Sequence, residues 1–146
     1  MMNEVIAGFI GKQKCSSICC INEEGTPYCF SGFYAFNEKE GLLYFKSSAE
    51  TNHIKMMKQN PAVAGTVLPD KLQLLIVKGI QFQGIVLSQH DELTKDASRH
   101  YHSKYPFAMA IPGEVWTIQL THIKMTDSSK GFGNKITWAN EAVMSE

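Results

Sequence analysis

Apolar residues near the N-terminus recur with the spacing of a helix. The four positions are Val5, Ile6, Phe9 and Ile10. This spacing predicts a first helix that Asn3 caps and Gly11 ends. Three apolar runs separated by short polar turns come next, and they are Cys15 to Ile21, Pro27 to Phe36 and Leu42 to Lys46. Consecutive strands joined in this way form an antiparallel meander.

A short helix and a strand follow the meander. Ile54 and Met57 share one side of a helix predicted from Thr51 to Gln59. Pro61 cannot continue that helix. The apolar run from Ala62 to Val67 then predicts a fourth strand.

The rest of the chain contains further segments with the spacing of a strand or of a helix. The segment from Leu72 to Leu87 is largely apolar, and residues 80–86 within it alternate with a period close to two. Gly84 predicts a bulge or a bend there. A helix is predicted from Asp91 to Tyr105. The strand from Val115 to Met125 changes phase past Thr121-His122, as at a bulge. About six strands, mostly sequential, and three helices predict a mainly β, α+β fold: a small antiparallel barrel with helices at its ends.

Composition narrows the class of protein. A chain of 146 residues predicts a single domain, 1-146. Fourteen basic and fourteen acidic residues cancel, which argues against nucleic acid as a partner. No apolar run is long enough to span a bilayer, so no membrane partner is predicted. The N-terminus carries Glu4 before its apolar part and resembles no signal peptide, so a cytoplasmic location is expected.

The cysteines fit no metal motif. Cys15, Cys19, Cys20 and Cys29 have the spacing C-x3-C-C-x8-C, which differs from zinc patterns, and no metal site is predicted. Without an export signal, reduced thiols that pack as small hydrophobes are favoured. The vicinal pair Cys19 and Cys20 leaves redox sensing open.

Hydroxyl, amide and imidazole side chains gather where the second helix begins. They are Ser47, Ser48, Thr51, Asn52 and His53. A helix N-terminus has unpaired N–H groups and a partial positive charge, so it can hold an anion such as a phosphate. Serine and threonine at a helix start are also the usual caps. From these residues alone both interpretations stay open.

The order of the elements resembles the split-barrel flavin-binding family that includes pyridoxamine 5'-phosphate oxidase, over roughly residue 5 to Trp138. The segment from Tyr44 to Pro61 resembles that family's strand, Thr/Ser loop, Ser-Arg-Lys helix start and Asn-Pro stop. Three C-terminal segments resemble a branch of small bacterial members. They are Trp116-Thr-Ile-Gln-Leu, Ile123-Lys-Met-Thr-Asp and Gly131-Phe-Gly-Asn-Lys-Ile-Thr-Trp138.

The resemblance implies a six-stranded split barrel and a homodimer with two FMN molecules at the subunit interface. Ser47 would provide the phosphate-binding hydroxyl. Ser31, Phe33, Tyr34 and Phe36 would lie on the strand beside the isoalloxazine ring. Thr126 and Lys135 would fall where the partner subunit supplies a Trp and an Arg near the ring.

Some residues depart from the family pattern. Thr51, Asn52 and His53 stand in place of Ser-Arg-Lys, so two permanent cations are absent. Lys46 or Lys55 are candidates to help neutralise a phosphate. Ser31 and Phe36 stand where the oxidase carries basic residues, and Thr126 replaces a Trp. These losses argue against vitamin B6 phosphate as substrate. The favoured hypothesis is a flavoprotein oxidoreductase of unknown substrate; the alternatives are a non-catalytic dimer that binds or senses flavin or haem, and a structural protein without ligand.

Overall fold

The computed structural model describes residues 2–130 and 134–144. Its strands are β1 (Cys15–Ile21), β2 (Pro27–Asn37), β3 (Leu42–Ser47), β4 (Ala62–Val67), β5 (Lys78–Val86), β6 (Glu114–Asp127) and β7 (Lys135–Ala139). Its α-helices are α1 (Glu4–Lys12), α2 (Asn52–Gln59), α3 (Ala97–Lys104) and α4 (Glu141–Met144). None of these helices is long and apolar enough to cross a bilayer.

The sheet closes into the predicted six-stranded antiparallel barrel. Its order is β3-β2-β1-β4-β5-β6-β7, and β3 also pairs with β6, which joins the two ends of the six-stranded part. The meander is formed by β1, β2 and β3. The seventh strand, β7, extends along β6 beside the closure with β3. The fold class is therefore confirmed. Segment 131–133, part of the glycine-rich motif, lies outside the described residues.

A bulge lies on β6, where the change of phase predicts it. Gln83 pairs with His122 and Gly84 pairs with Leu120, so Thr121 is the extra residue. A Cβ atom on Gly84 would lie 2.8 Å from the Gln119 carbonyl oxygen, which explains why this position has no side chain. Strand β5 pairs with β6 on both sides of the bulge, whereas on the other edge of β6 residues 114–119 pair with β3 and residues 122–126 pair with β7.

Two apolar clusters lie on opposite faces of β3. Leu43 and Phe45 point into the barrel, where α1 and α2 complete the main core. Leu42 and Tyr44 point outward and are covered by α3. Because successive strand residues face opposite sides, the last residue of β3, Ser47, is on the side of Phe45. This alternation delivers Ser47 to the start of α2.

Two predicted elements differ from the structure. The helix expected from Asp91 to Tyr105 is a 3₁₀ turn, Glu92–Thr94, followed by α3. The Asp91 carboxylate accepts from the Leu93 N–H, and the Thr94 hydroxyl donates to the Asp91 carbonyl. Such local bonds compete with helix formation. The segment 72–77 is also not a strand; it forms an exposed loop ahead of β5.

The expectation that all four thiols are reduced is wrong. Cys19 and Cys29 pair directly across β1 and β2 and form a disulfide, with their Cα atoms 4.3 Å apart. Cys20 points to the opposite face, is fully buried and stays a free thiol, as small hydrophobic cysteines do. The vicinal pair therefore forms no redox couple of its own. Cys15 is free and exposed.

Candidate functional site

Three polar side chains meet where β3 ends and α2 begins. Ser47 Oγ lies 2.7 Å from His53 Nε2 and 3.3 Å from Thr51 Oγ1. Thr51 Oγ1 lies 3.2 Å from the same ring nitrogen. All three residues are half-buried. We call Ser47, Thr51 and His53 the anion cluster, because they surround the first turn of a helix, where N–H groups and the helix dipole favour negative charge.

The capping interpretation of Thr51 is not what the structure shows. Thr51 occupies the N-cap position of α2, but its side chain accepts no hydrogen bond from the helix. Its hydroxyl instead donates to the Ser48 carbonyl, while Ser48 Oγ accepts from the Glu50 N–H. No described side chain caps α2, so the N–H groups of its first turn keep their capacity to bind an anion.

An aromatic stack holds the His53 ring in place. The Phe30 ring lies on it with centroids 3.7 Å apart and planes at 11°. Burial lowers the pKa of His53 below its ordinary value of about 6.5. The neutral imidazole therefore predominates at pH 7, and one hydrogen bond joins Nε2 to the Ser47 hydroxyl.

A pH effect on stability follows from this shift. In the unfolded chain His53 takes up a proton near pH 6.5, whereas in the folded protein it does so only at lower pH. The unfolded state therefore binds more protons between those values, and His53 lowers the free energy of unfolding as the pH falls below about 6.5. Urea unfolding at pH 7.5 and at pH 5.5 measures this effect. Between the two values the free energy of unfolding should fall less in His53→Gln than in the parent protein. The other four histidines are common to both proteins; equal losses would contradict this assignment.

Trp116 fixes the backbone beneath the anion cluster. It is 4% exposed, pairs with Phe45 across β3 and β6, and donates its indole N–H to the Ser47 carbonyl at 2.9 Å. A cleft of about 500 Å³ opens beside it, and the Lys58 ammonium lies 5.6 Å from the indole centroid. The Ser47 side chain is thus positioned by an indole–carbonyl bond.

Strand β2 leaves an open edge beside the anion cluster. Only its last four residues, 34–37, pair with β3, while residues 27–33 pair with β1 alone among the described strands. Cys29 and Cys19 are a closely spaced pair, as in non-hydrogen-bonded positions. The alternation then directs the main-chain N–H and C=O groups of Cys29 and Ser31 away from β1, toward this edge.

The structure separates the predicted ring-side residues into two groups. Ser31 and Phe33 are exposed on the outer face and line a shallow groove with Thr66 and Leu68. Tyr34 is 1% exposed and donates its hydroxyl to the Ile10 carbonyl, so it is a core residue and is not available to a ligand. Phe36 packs against the main core. Alternation along β2 explains the division, because even positions point inward.

Other predicted site residues are dispersed within one chain. Thr126 and Lys135 pair with each other on β6 and β7. They lie at the opposite end of β6 from Glu114, which pairs with Ser47. The structure therefore brings neither of them to the anion cluster of its own chain. Asn52 is exposed on the first turn of α2, beside the cluster.

Two residues of the site were not predicted from the sequence. Phe30 lies within the predicted strand from Pro27 to Phe36, and Trp116 within the predicted strand from Val115 to Met125, but the sequence gives neither a role in the site. The signal for Trp116 lies in strand pairing: the register that aligns Phe45 with Trp116 brings the indole N–H to the carbonyl of Ser47, two residues further along β3. Nothing in the sequence indicates the stack of Phe30 on His53. Lys46 is engaged elsewhere, since it donates to the Ala108 carbonyl on the outer face.

Relatives of this chain occur in Photorhabdus and Escherichia. It is 34% identical over 135 residues to UPF0306 protein plu4501 of Photorhabdus laumondii, covering 92% of this chain and 94% of that protein. It is 33% identical over 119 residues to UPF0306 protein YhbP of Escherichia coli, covering 82% and 81%. No family model matches the chain.

Solved structures share its fold at low identity. A heme binding protein from Mycobacterium smegmatis superposes with a TM-score of 0.75 at 12% identity, over 94% of this chain and 57% of that one. An FAD-binding protein from Mesorhizobium loti gives 0.66 at 18% identity, over 86% and 95%. A member of the pyridoxinephosphate oxidase family from Clostridium acetobutylicum gives 0.66 at 12%, over 95% and 94%. At such identities the likeness establishes the split-barrel fold.

Proposed function

The chain belongs to the UPF0306 family, and we propose that it is a flavoprotein that holds FMN by its phosphate at the anion cluster. The observation that carries this proposal is the convergence of Ser47, Thr51 and His53 on an uncapped helix start. The flavin and haem proteins among its structural neighbours support a cofactor of this class.

The donor set fits a phosphate monoester. The Ser47 hydroxyl, the His53 imidazole and the N–H groups of α2 are neutral donors, and the Thr51 hydroxyl can join them by turning from the Ser48 carbonyl to the phosphate. Together with the helix dipole, these donors can replace the family's two cations. Approach of a dianion would favour the protonated form of His53 and raise its pKa, opposite to the effect of burial. Phosphate binding would therefore be accompanied by proton uptake at this ring.

The open edge of β2 fits the flavin ring. Main-chain N–H and C=O groups of Ser31 face this edge, and such groups match the donors and acceptors at the edge of an isoalloxazine ring. Phe30 and His53 stack directly behind it. The phosphate and ring sites thus adjoin through β2. When bound, the flavin supplies the redox chemistry, and this chain binds and orients it. We propose an oxidoreductase acting on a small molecule other than vitamin B6 phosphate.

The proposed assembly is a homodimer. Thr126 and Lys135 are remote from the anion cluster of their own chain, so a second copy would have to supply them. Exposed apolar side chains are available for such an interface: Phe33 is 45% exposed, Leu68 57% and Phe107 58%. Phe33 and Leu68 line the same groove, and the ring of Phe107 lies 6.3 Å from that of Phe33.

A double substitution tests the phosphate site. Thr51→Ala with His53→Ala should weaken FMN binding at least a hundredfold, since two hydrogen bonds to a charged group contribute about 3 kcal/mol together. The fold should survive, because the Thr51 side chain does not cap α2. Titration of FMN into the purified protein, followed by flavin fluorescence, measures the effect.

The matched control changes the same residue types elsewhere. Thr94 and His100 lie outside α2, on the far side of β3. Thr94→Ala with His100→Ala should leave FMN affinity unchanged. A parent protein that binds neither FMN nor FAD but takes up haem with a Soret band would favour the haem alternative. Binding of FMN without turnover by NADH, NADPH and common acceptors would favour a sensing or storage role.

A further inference from the structure

A disulfide fastens the part of β2 that carries the ring of the proposed site. Cys29 immediately precedes Phe30, and Cys19 faces Cys29 on β1. Cys29 is exposed and Cys19 is half-buried. The bond therefore lies on the outer surface of the barrel, where an external thiol can reach it, one residue away from the ring that stacks on His53.

The disulfide adds a covalent restraint to the pairing of this half of β2 with β1. Residues 27–33 have β1 as their only described neighbouring strand. Beyond the disulfide the two strands continue into an exposed hairpin, whose turn is closed by Asn22 and Thr26. Without the disulfide, this half-strand would be held by its main-chain hydrogen bonds to β1 and by the packing of Phe30 on Phe45, and segments that end in exposed turns are among the first parts of a fold to open locally. A covalent link at Cys29 limits its movement.

The same strand transmits that restraint to the anion cluster. Cys29 points outward and Phe30 inward, so any shift of the backbone at Cys29 moves the Phe30 ring. That ring covers His53, whose Nε2 lies 2.7 Å from Ser47 Oγ.

We propose that Cys19–Cys29 is a thiol–disulfide exchange site whose redox state sets the affinity of the anion cluster for its cofactor; this rests on the proposed function of that cluster. The reductant is a dithiol. Its thiolate attacks the exposed Cys29 sulfur, forming a mixed disulfide, and Cys19 leaves as a thiolate that takes a proton. The second thiol of the reductant then attacks its own mixed-disulfide sulfur and releases Cys29. Two electrons and two protons pass to the protein, and the reductant becomes a cyclic disulfide.

The oxidised protein is the tighter binder. The disulfide holds the open edge and the Phe30–His53 stack in the binding geometry, and such preorganisation increases affinity. Binding and reduction are linked, so the cofactor must stabilise the disulfide by the same factor. A tenfold difference in FMN affinity corresponds to a reduction potential that is about 30 mV lower with FMN bound.

The test titrates FMN into the whole protein in oxidised and in reduced dithiothreitol buffer. We expect reduction to raise Kd about tenfold in the parent. In the Cys19→Ser, Cys29→Ser double variant the Kd should equal that of the reduced parent in both buffers. This variant keeps Cys15 and Cys20, so any response that these thiols cause would persist in it. Equal Kd values for the two states of the parent would overturn the proposal.

A second measurement does not depend on FMN. The ring-proton NMR signal of His53, assigned with His53→Gln, is shifted by the Phe30 ring above it. Reduction should move this signal toward its position in an unstacked histidine. If FMN binds in neither state and the signal still moves, the proposed cofactor fails while the coupling of the disulfide to the cluster stands. An unmoved signal, or a disulfide that reacts only when the protein unfolds, refutes the coupling.

Discussion

Gly65→Ala is expected to destabilise the barrel by about 3 kcal/mol, near the top of the usual range for overpacking a core. Gly65 lies on β4 between β1 and β5, and a Cβ atom there would overlap the Ser17 carbonyl oxygen and the Phe82 ring. The first contact is with main chain, so a change of side-chain rotamer cannot relieve it. The melting temperature should fall by roughly 6–12 °C for a protein of this size.

The matched control is a glycine in the neighbouring meander. Gly32 lies on β2, and a Cβ atom there would meet nothing within 4 Å. Gly32→Ala should therefore leave stability unchanged or raise it by up to about 1 kcal/mol, because alanine restricts the unfolded chain. Urea denaturation of both variants gives the comparison. Similar losses of the free energy of unfolding in the two variants would contradict the assignment of the effect to overlap at Gly65.

The strands were predictable because each carries a local signal. Bounds for β1 and β4 match the prediction from apolar runs, and Asn3 caps α1 as expected, since its side chain accepts from the N–H groups of Val5 and Ile6. Alternation and turns act over a few residues, so one sequence reveals them. The loop 72–77 was mistaken for strand because Leu74 and Leu75, although apolar, are almost fully exposed.

Only the part of the site that is formed by residues close in sequence was predictable. Ser47, Thr51 and His53 are close in sequence, and a strand followed by a helix brings them together. The Phe30 stack joins residues 23 positions apart, and the pairing that produces it has no local signature. Tyr34 was assigned to the ring by resemblance, yet the inward face of β2 places it in the core.

The disulfide escaped prediction for a related reason. Cys19 and Cys29 are bonded because the turn at residues 22–26 sets a register in which they face each other. A shift of that register by one residue would place one of the two thiols on the other face of the sheet. The spacing of the cysteines excluded a zinc motif but could not show which residues of the two strands face each other. The expectation of free thiols therefore rested on the lack of an export signal.

Trp116→Ala is expected to cost about 3–5 kcal/mol of stability, as for other buried aromatic residues, and to abolish FMN binding. The ring is 4% exposed and packs in the main core, so its removal leaves a large cavity. The Ser47 carbonyl would also lose its indole partner. Loss of affinity in such a variant could follow from loss of fold alone, so this change cannot by itself assign Trp116 to the site.

Trp116→Phe separates the two effects. It keeps most of the apolar contact but removes the N–H that holds the Ser47 carbonyl, at a cost of about 1–2 kcal/mol. Tyr105→Phe is the matched control, because it removes another buried bond, from the Tyr105 hydroxyl to the Tyr34 carbonyl at 2.6 Å, on the outer face. Both should lower stability by similar amounts in urea denaturation, but only Trp116→Phe should weaken FMN binding, by about tenfold. Equal affinities would mean that the indole supports the barrel and does not position Ser47.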